Sequence, residues 1–198
     1  MSTYSTLSVA DLLHAFASNE PVPGGGSAAA LAGAVGTSLL IMVAGLPNTL
    51  TGSPEETADL AEASARLRPL LERLTSLIEE DSTAYAAVLE AIHLPKGADA
   101  ERTSRRAAID AAMRRAIDVP METMRCCQQA LRGAVIVAHG GNRNAATDVA
   151  VGVELLLAGL RGSGLNVDVN VRSVSEAAFA ERVAAERAQL QSDGEADA

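Results

Sequence analysis

The chain has 198 residues, of which 48% are hydrophobic but only 2% aromatic, and its formal net charge is −9. This length predicts one domain, and the negative charge together with the scarcity of aromatic side chains argues against nucleic acid as a partner. Roughly one residue in five is Ala, the strongest helix former, and the β-branched and aromatic runs typical of β-sheet proteins are few. We therefore expect an all-α, Ala/Gly-rich helical bundle.

The N-terminal part of the sequence predicts a short helix followed by a long uncharged one. Ser8 is a typical N-cap for a helix that runs to about Ser18. A turn over residues 20–26, rich in Pro and Gly, precedes the segment 28–46, which carries no charge. That segment is long enough to span a bilayer, but it is rich in Ala, Gly, Ser and Thr and lacks flanking aromatic or basic anchors. It is expected to be a buried central helix, with no membrane as a partner.

Two long helical patterns follow, over residues 55–93 and 100–139. Each contains one proline: Pro69 is expected to kink the first helix or divide it in two, and Pro120 is expected to kink the second. Cys126 and Cys127 are adjacent inside the second pattern, so they cannot link distant parts of the chain. Since the sequence has no disulfide framework, we expect a cytoplasmic protein.

The C-terminal part predicts two more helices. Helical periodicity resumes over residues 145–161, whereas 165–171 alternates apolar and polar residues and predicts an extended connector. A last amphipathic helix is expected over residues 175–190. We therefore assign residues 1–190 to a single helical domain and residues 191–198 to an acidic, disordered tail.

The first long helical pattern carries a seam of positions spaced alternately four and three residues apart. Its members are Leu67, Leu71, Leu74, Ile78, Asp81, Tyr85, Val88 and Ile92. Such a seam faces a core, yet Asp81 stands where a Leu belongs, and a carboxylate is almost never fully buried without a partner. Asp81 either lines a pocket, where a raised pKa would suit general acid–base chemistry, or faces water beside Glu79 and Glu80.

Other polar features are weak signals when each is taken alone. The Gly-Gly-Gly-Ser run at 24–27 offers free backbone N–H groups at a helix N-terminus, although a permissive turn with an N-cap is the simpler explanation of the run alone. Asp148 suits the first turns of a helix, where the helix dipole favours a carboxylate. Asn142, Asn166 and Asn170 cluster near helix breaks, where Asn caps the backbone. The three histidines show no metal-ligand spacing, and we expect no metal site.

Five motifs occur in a fixed order, and together they point to a protein family far more specifically than any one of them does alone. They are Pro23 to Ala30, Asp81 to Tyr85 followed by Leu94-Pro95-Lys96, Val119-Pro120, Gly141-Asn142 with Asp148 downstream, and Asn166-Val167 with Asn170. This order and spacing resembles the cyclodeaminase/cyclohydrolase family, which comprises the C-terminal half of formimidoyltransferase-cyclodeaminase and stand-alone methenyltetrahydrofolate cyclohydrolases. The resemblance covers nearly the whole chain, from about Leu7 to Arg187.

The resemblance implies an all-helical fold, a homodimer and a tetrahydrofolate one-carbon substrate. It places the family's catalytic aspartate on Asp81. It also implies a substrate-binding role for nine residues, which are Pro23, Gly24, Gly25, Gly26, Ser27, Asn142, Asp148, Asn166 and Asn170. Two further residues are candidates for substrate binding on their own properties, Tyr85 by its place on the seam and Lys96 by its positive charge. Tyr85, one turn from Asp81, is either a wall for a flat pterin or a core residue.

The reaction implied by the resemblance is the hydrolysis of methenyltetrahydrofolate to formyltetrahydrofolate. It needs no cofactor beyond the tetrahydrofolate derivative that serves as substrate. A formimidoyltetrahydrofolate cyclodeaminase that releases ammonia is the first alternative, and a non-catalytic, folate-binding helical dimer is the second. The cyclohydrolase is favoured because a free-standing chain lacks the transferase half that would deliver formimidoyl groups.

One segment departs from the family pattern. Family members often follow the first core helix with a short basic run ending in an aromatic residue, but residues 46–52 of this chain contain neither. How the chain would hold the glutamate tail of folate is therefore in question. The cations that could replace the basic run are Lys96, Arg102, Arg105 and Arg106, although an Arg cluster on a helix is often only a solvated face.

Overall fold

The computed structural model describes residues 3–198, and this part of the chain is helical without a β-strand. Its helices are α1 (Val9–Phe16), α2 (Gly25–Ala44), α3 (Pro54–His93), α4 (Asp99–Gly140), α5 (Ala146–Val171) and α6 (Ala177–Ala196). Short 3-10 turns at Tyr4–Thr6 and Arg143–Ala145 precede α1 and α5. The all-α prediction is confirmed.

Helix α2 lies at the centre of the bundle. It packs against α3, α4 and α5, while α6 covers α4 and α5. By length and composition α2 could cross a membrane, but 56% of its most apolar window is buried inside the protein. The prediction of a buried central helix is therefore confirmed, and the long helices α3 and α4 form the walls around it.

Glycines allow the backbones of α2 and α5 to come into direct contact. A Cβ added to Gly36 would lie 2.6 Å from the carbonyl oxygen of Gly152, and one added to Gly159 would lie 2.9 Å from that of Ala29. Neither contact could accommodate a side chain, so glycine is required where these two helices meet. The C-terminal half of α5 is thereby held beside the first turns of α2.

Local sequence explains where the helices begin. Ser8 caps α1 as predicted, because its side chain accepts a hydrogen bond from the backbone N–H of Asp11 at 3.1 Å. Ser53 caps α3 in the same way, and Pro54 occupies the first helical position, where its missing N–H costs nothing. Pro69 and Pro120 lie inside α3 and α4 without dividing either helix.

Two predictions about the C-terminal third were wrong. Residues 165–171 do not form an extended connector, since α5 continues through Val171. Residues 191–196 are not disordered, because α6 continues to Ala196. Buried Gly194 packs so closely on α5 that an added Cβ would lie 2.5 Å from Leu160 Cδ2. An interhelical contact of this kind is not visible in the local sequence pattern.

Candidate active site

A cavity of about 500 Å³ lies where the first turn of α2 meets the C-terminal ends of α3 and α5 and the first half of α4. Its volume is in the range of small-molecule sites. The seam of α3 divides at this point: Leu74 and Ile78 are buried in the core, whereas Asp81, Tyr85, Val88 and Ile92 line the cavity. The seam therefore does not end at Asp81 but passes from the core into a pocket.

The Asp81 carboxylate is hydrogen-bonded to Ser27 at the N-terminus of α2. Its Oδ2 accepts hydrogen bonds from the Ser27 backbone N–H at 2.9 Å and from Ser27 Oγ at 3.2 Å. Ser27 is fully buried, and its single hydroxyl proton is shared between Asp81 Oδ2 and the nearer Ile78 carbonyl oxygen at 2.8 Å. Within residues 3–198 no donor reaches Asp81 Oδ1, so this oxygen is free to meet a ligand or a water molecule.

Gly26 is required for this arrangement because the carboxylate occupies the space of a side chain. A Cβ added to Gly26 would lie 2.0 Å from Asp81 Oδ1 and 2.4 Å from Cγ. In the described chain, the backbone N–H groups of Gly25 and Gly26 have no acceptor, as expected for the first turn of a helix. The cavity thus has a carboxylate oxygen and two free N–H donors side by side.

Burial raises the pKa of the Asp81 carboxyl above its usual value, and the two hydrogen bonds from Ser27 partly oppose this rise. Burial is the largest of these effects. A carboxyl with a raised pKa exchanges protons nearer to neutral pH than an ordinary aspartate, which suits a general acid or base. The structure therefore supports the pocket interpretation of Asp81 over the water-facing one.

Asn166 and Asn170 lie one turn apart on α5, and both line the cavity. Asn170 Nδ2 donates to the Ala116 carbonyl oxygen at 2.7 Å. This carbonyl has lost its helical partner, because Pro120 stands four residues later and has no N–H. Asn166 Nδ2 donates to the Gly162 carbonyl oxygen at 3.0 Å. Since a carbonyl must face the amide nitrogen, each Asn has its Oδ1 left over as an acceptor for a ligand.

The two asparagines also explain why α5 is longer than predicted. The alternation of apolar and polar residues over 165–171 looks like a strand, but Val167 is buried in the core while Asn166 and Asn170 face the cavity. Leu165 and Val169 then lie on the outer face of α5, where both are exposed. The helix is stabilised by tertiary contacts that a two-residue period does not reveal.

The structure brings seven of the twelve predicted site residues into the cavity lining. They are Gly24, Gly25, Gly26, Asp81, Tyr85, Asn166 and Asn170. Pro23 and Ser27 are buried directly behind the lining. Lys96 is exposed in the connector between α3 and α4 and lies outside the lining.

Asn142 and Asp148 do not join this cavity within one chain. Asn142 Nδ2 donates to the Pro47 carbonyl oxygen at 2.7 Å, just beyond the C-terminus of α2. Asp81 contacts the N-terminus of α2, and a helix of this length spans about 30 Å. Asp148 lies in the first turn of α5, at the same far end as Asn142. Asn142 secures the loop after α2, and the predicted substrate contact of both residues stays a prediction.

Sequence reasoning missed the contribution of α4 to the cavity. Ile109, Met113 and Ala116 line it, and these apolar residues look like ordinary core positions. The available signal was Pro120, which leaves the carbonyl of Ala116 unpaired and thereby predicts a nearby side-chain donor.

Comparisons with known proteins agree with the geometry. A family model described as formiminotransferase-cyclodeaminase matches residues 8–189. A methenyltetrahydrofolate cyclohydrolase of Methylorubrum extorquens is 41% identical over 169 residues, which are 85% of this chain and 81% of that protein. A formimidoyltransferase-cyclodeaminase of Mus musculus is 34% identical over 164 residues, which are 81% of this chain but only 30% of the mouse protein.

A solved structure shares the fold. The crystal structure of formiminotetrahydrofolate cyclodeaminase from Thermotoga maritima superposes with a TM-score of 0.86 at 23% sequence identity, covering 97% of this chain and 92% of that one. The sequence matches and the shared fold agree on one assignment: the chain belongs to the cyclodeaminase/cyclohydrolase family.

Proposed function

We propose that this chain is a methenyltetrahydrofolate cyclohydrolase in which Asp81 is the catalytic acid–base group. The observation that carries the proposal is the Asp81 carboxylate, which is held by Ser27 through Oδ2 and presents Oδ1 to the cavity. The cavity also offers acceptor oxygens from Asn166 and Asn170. Such a set of acceptors suits a cationic ligand that carries N–H donors, and the methenyl bridge of the substrate is a cation.

In the proposed reaction, water attacks the methenyl carbon while Asp81 takes one of its protons. The product of this step is a neutral carbinolamine. The bond between the carbon and one bridging nitrogen then breaks as Asp81 returns its proton to that nitrogen, and the carbinolamine hydroxyl releases its proton to solvent. A formyl group remains on the other nitrogen. No electrons are transferred, and we propose that no metal or redox cofactor takes part.

The geometry supports both halves of this acid–base cycle. Asp81 must be ionised to accept a proton from water, so the rate should fall as the pH drops below its raised pKa. The free N–H groups of Gly25 and Gly26 lie beside the carboxylate and can stabilise the oxygen that develops on the attacked carbon. Tyr85 forms an adjoining wall for the ligand's ring system.

A spectroscopic assay tests the proposal. We expect the near-UV absorbance of methenyltetrahydrofolate to disappear on addition of the protein, and Asp81→Asn to abolish turnover while the circular dichroism spectrum is unchanged. A folded wild-type protein that does not turn over this substrate would contradict the proposal and leave the non-catalytic, folate-binding dimer.

A cyclodeaminase is the second candidate, because several relatives and the solved neighbour are named for this activity. In that reaction a folate nitrogen attacks the formimidoyl carbon, and Asp81 protonates the departing ammonia. Formimidoyltetrahydrofolate supplied to the same preparation separates the two activities: a cyclodeaminase releases ammonia and accumulates methenyl absorbance.

We also propose a homodimer, supported by apolar side chains exposed on α2 and α5. On α2, Val35 and Met42 lie two turns apart on one face, and on α5, Val151, Leu165 and Val169 share another; each of the five is at least 43% exposed. Sedimentation at micromolar concentration should report a dimer, and Val151→Glu should weaken it. A wild-type monomer would contradict this proposal.

A cytoplasmic location is proposed as well, since both cysteines are free and buried.

A further inference from the structure

Arg105 lies beside one end of the cavity and takes no part in the proposed chemistry. Ile92, in the last turn of α3, is the cavity-lining residue of the seam farthest from Asp81, and Ile109 on α4 lines the cavity as well. Arg105 lies one turn before Ile109 and donates to the Ile92 carbonyl oxygen from Nε at 3.1 Å and from Nη2 at 2.9 Å. The guanidinium is therefore fixed at the rim of the cavity, just outside its lining.

Arg105 has no carboxylate partner. Across residues 3–198, no acidic side chain lies within ion-pair distance of Arg105, Arg106 or Lys96. Arg102, in contrast, is committed to Asp99 and to the Gly97 carbonyl oxygen. In a chain with a net charge of −9, an unpaired guanidinium held at a cavity rim is a local attraction for an anion. The bonds to Ile92 leave the Nη1 hydrogens and one Nη2 hydrogen free to bind it.

The position of Arg105 suits the far end of an extended ligand. Eleven residues of α3 separate Asp81 from Ile92, which corresponds to about 16 Å along the helix. Between them Tyr85 and Val88 form an apolar wall that suits an aromatic ring. A folate whose one-carbon bridge lies at Asp81 would direct its benzoyl ring along this wall and its glutamate toward Arg105.

We propose that Arg105 binds a carboxylate of the substrate's glutamate tail. The proposal rests on the proposed function, because it takes the substrate to be a folate. Arg105 touches only the tail, so it determines affinity and has no part in the acid–base steps at Asp81. A planar guanidinium that already makes two bonds keeps a fixed orientation for the incoming carboxylate.

The test compares two substrates, methenyltetrahydrofolate and methenyltetrahydropteroate, which lacks the glutamate. We expect Arg105→Gln to raise KM for the first about tenfold to a hundredfold, the loss typical of a charged hydrogen bond. KM for the second and both kcat values should stay unchanged. Arg105→Lys should fall between Gln and wild type. Arg102→Gln is the matched control, and it should not distinguish the two substrates.

A capping role alone would give a different result. If Arg105 only secured the end of α3, Arg105→Gln would alter KM equally for both substrates, and that outcome overturns the proposal. If wild type turns over neither substrate, the proposed function fails instead. Calorimetric titration with folic acid and pteroic acid then decides the role of Arg105: a preference for folic acid that Arg105→Gln removes supports it, and equal binding or no binding overturns it.

Discussion

The contact between Gly26 and Asp81 makes a sharp prediction for Gly26→Ala. The new Cβ would lie 2.0 Å from Asp81 Oδ1, 2.4 Å from Cγ and 2.7 Å from Oδ2. Real Cβ contacts essentially never fall below 3.0 Å, so the carboxylate must move by about 1 Å and stretch or break its bonds to Ser27.

The size of the effect follows from two opposing terms. A hydrogen bond to a charged group contributes about 1.5–3 kcal/mol, and Ala gains about 0.5–1 kcal/mol over Gly within a helix. If one Ser27 bond breaks, we expect a net loss of about 0.5–2.5 kcal/mol in the free energy of unfolding. If both break the loss is larger, since the gain from Ala counts only once. A displacement of about 1 Å in a catalytic group costs about a hundredfold in rate, so kcat should fall by that factor.

The measurements are urea unfolding at pH 7 and the absorbance assay for kcat. Gly45→Ala is the matched control at the opposite end of α2. Its Cβ would lie 3.6 Å from the nearest carbonyl oxygens, in ordinary contact, and both quantities should match those of wild type. A Gly26→Ala protein with wild-type stability and kcat would refute the placement of the carboxylate against Gly26.

The remaining predictions concern pH and an unpaired carbonyl. The pKa of Asp81 is higher in the folded chain than its ordinary value of 3.8, so its contribution to stability is complete below that value and is lost as the pH rises through the folded pKa. Asp81→Asn should therefore exceed wild type in the free energy of unfolding at pH 8, with a difference that shrinks toward pH 4; a constant difference would contradict this. Asn170→Ala should cost about 1–3 kcal/mol by leaving the Ala116 carbonyl unpaired. In a Pro120→Ala background, where residue 120 regains an N–H, the cost in urea unfolding should fall below 1 kcal/mol, and an equal cost in both backgrounds would exclude the proposed pairing.

Asp81 could be identified from sequence because it breaks a regular pattern. A single carboxylate in an otherwise apolar seam conflicts with burial, and that conflict is visible without coordinates. The residues that hold Asp81 were found through motif order, since neither Gly26 nor Ser27 departs from an ordinary helix start. Local pattern alone does not reveal that a glycine is needed to accommodate a side chain from another helix.

Residues whose role depends on long-range contacts were less predictable. The alternation over residues 165–171 predicts an extended connector instead of the last two turns of α5, because alternation is a local signal while the contact between Asn170 and Ala116 joins positions 54 residues apart. Motif order groups Asn142 with the site, whereas in the structure its amide binds Pro47 at the other end of α2. The order of the motifs identifies the family of the chain. Which of the motif residues line the cavity depends on how the helices pack, and the motifs do not show this.

The close approach of α2 and α5 helps to hold the cavity-lining groups in fixed positions. Where Gly36 faces the carbonyl oxygen of Gly152 and Gly159 faces that of Ala29, the groups in closest contact are backbone atoms, which have no side-chain rotamers to lose. Ordering this contact therefore costs little side-chain entropy, in contrast to a core of Leu or Met. The two helices carry Gly25, Gly26 and the asparagine pair into the cavity, so the groups that we propose to bind the substrate are held in place without it. A preorganised site of this kind keeps more of its interaction energy for binding.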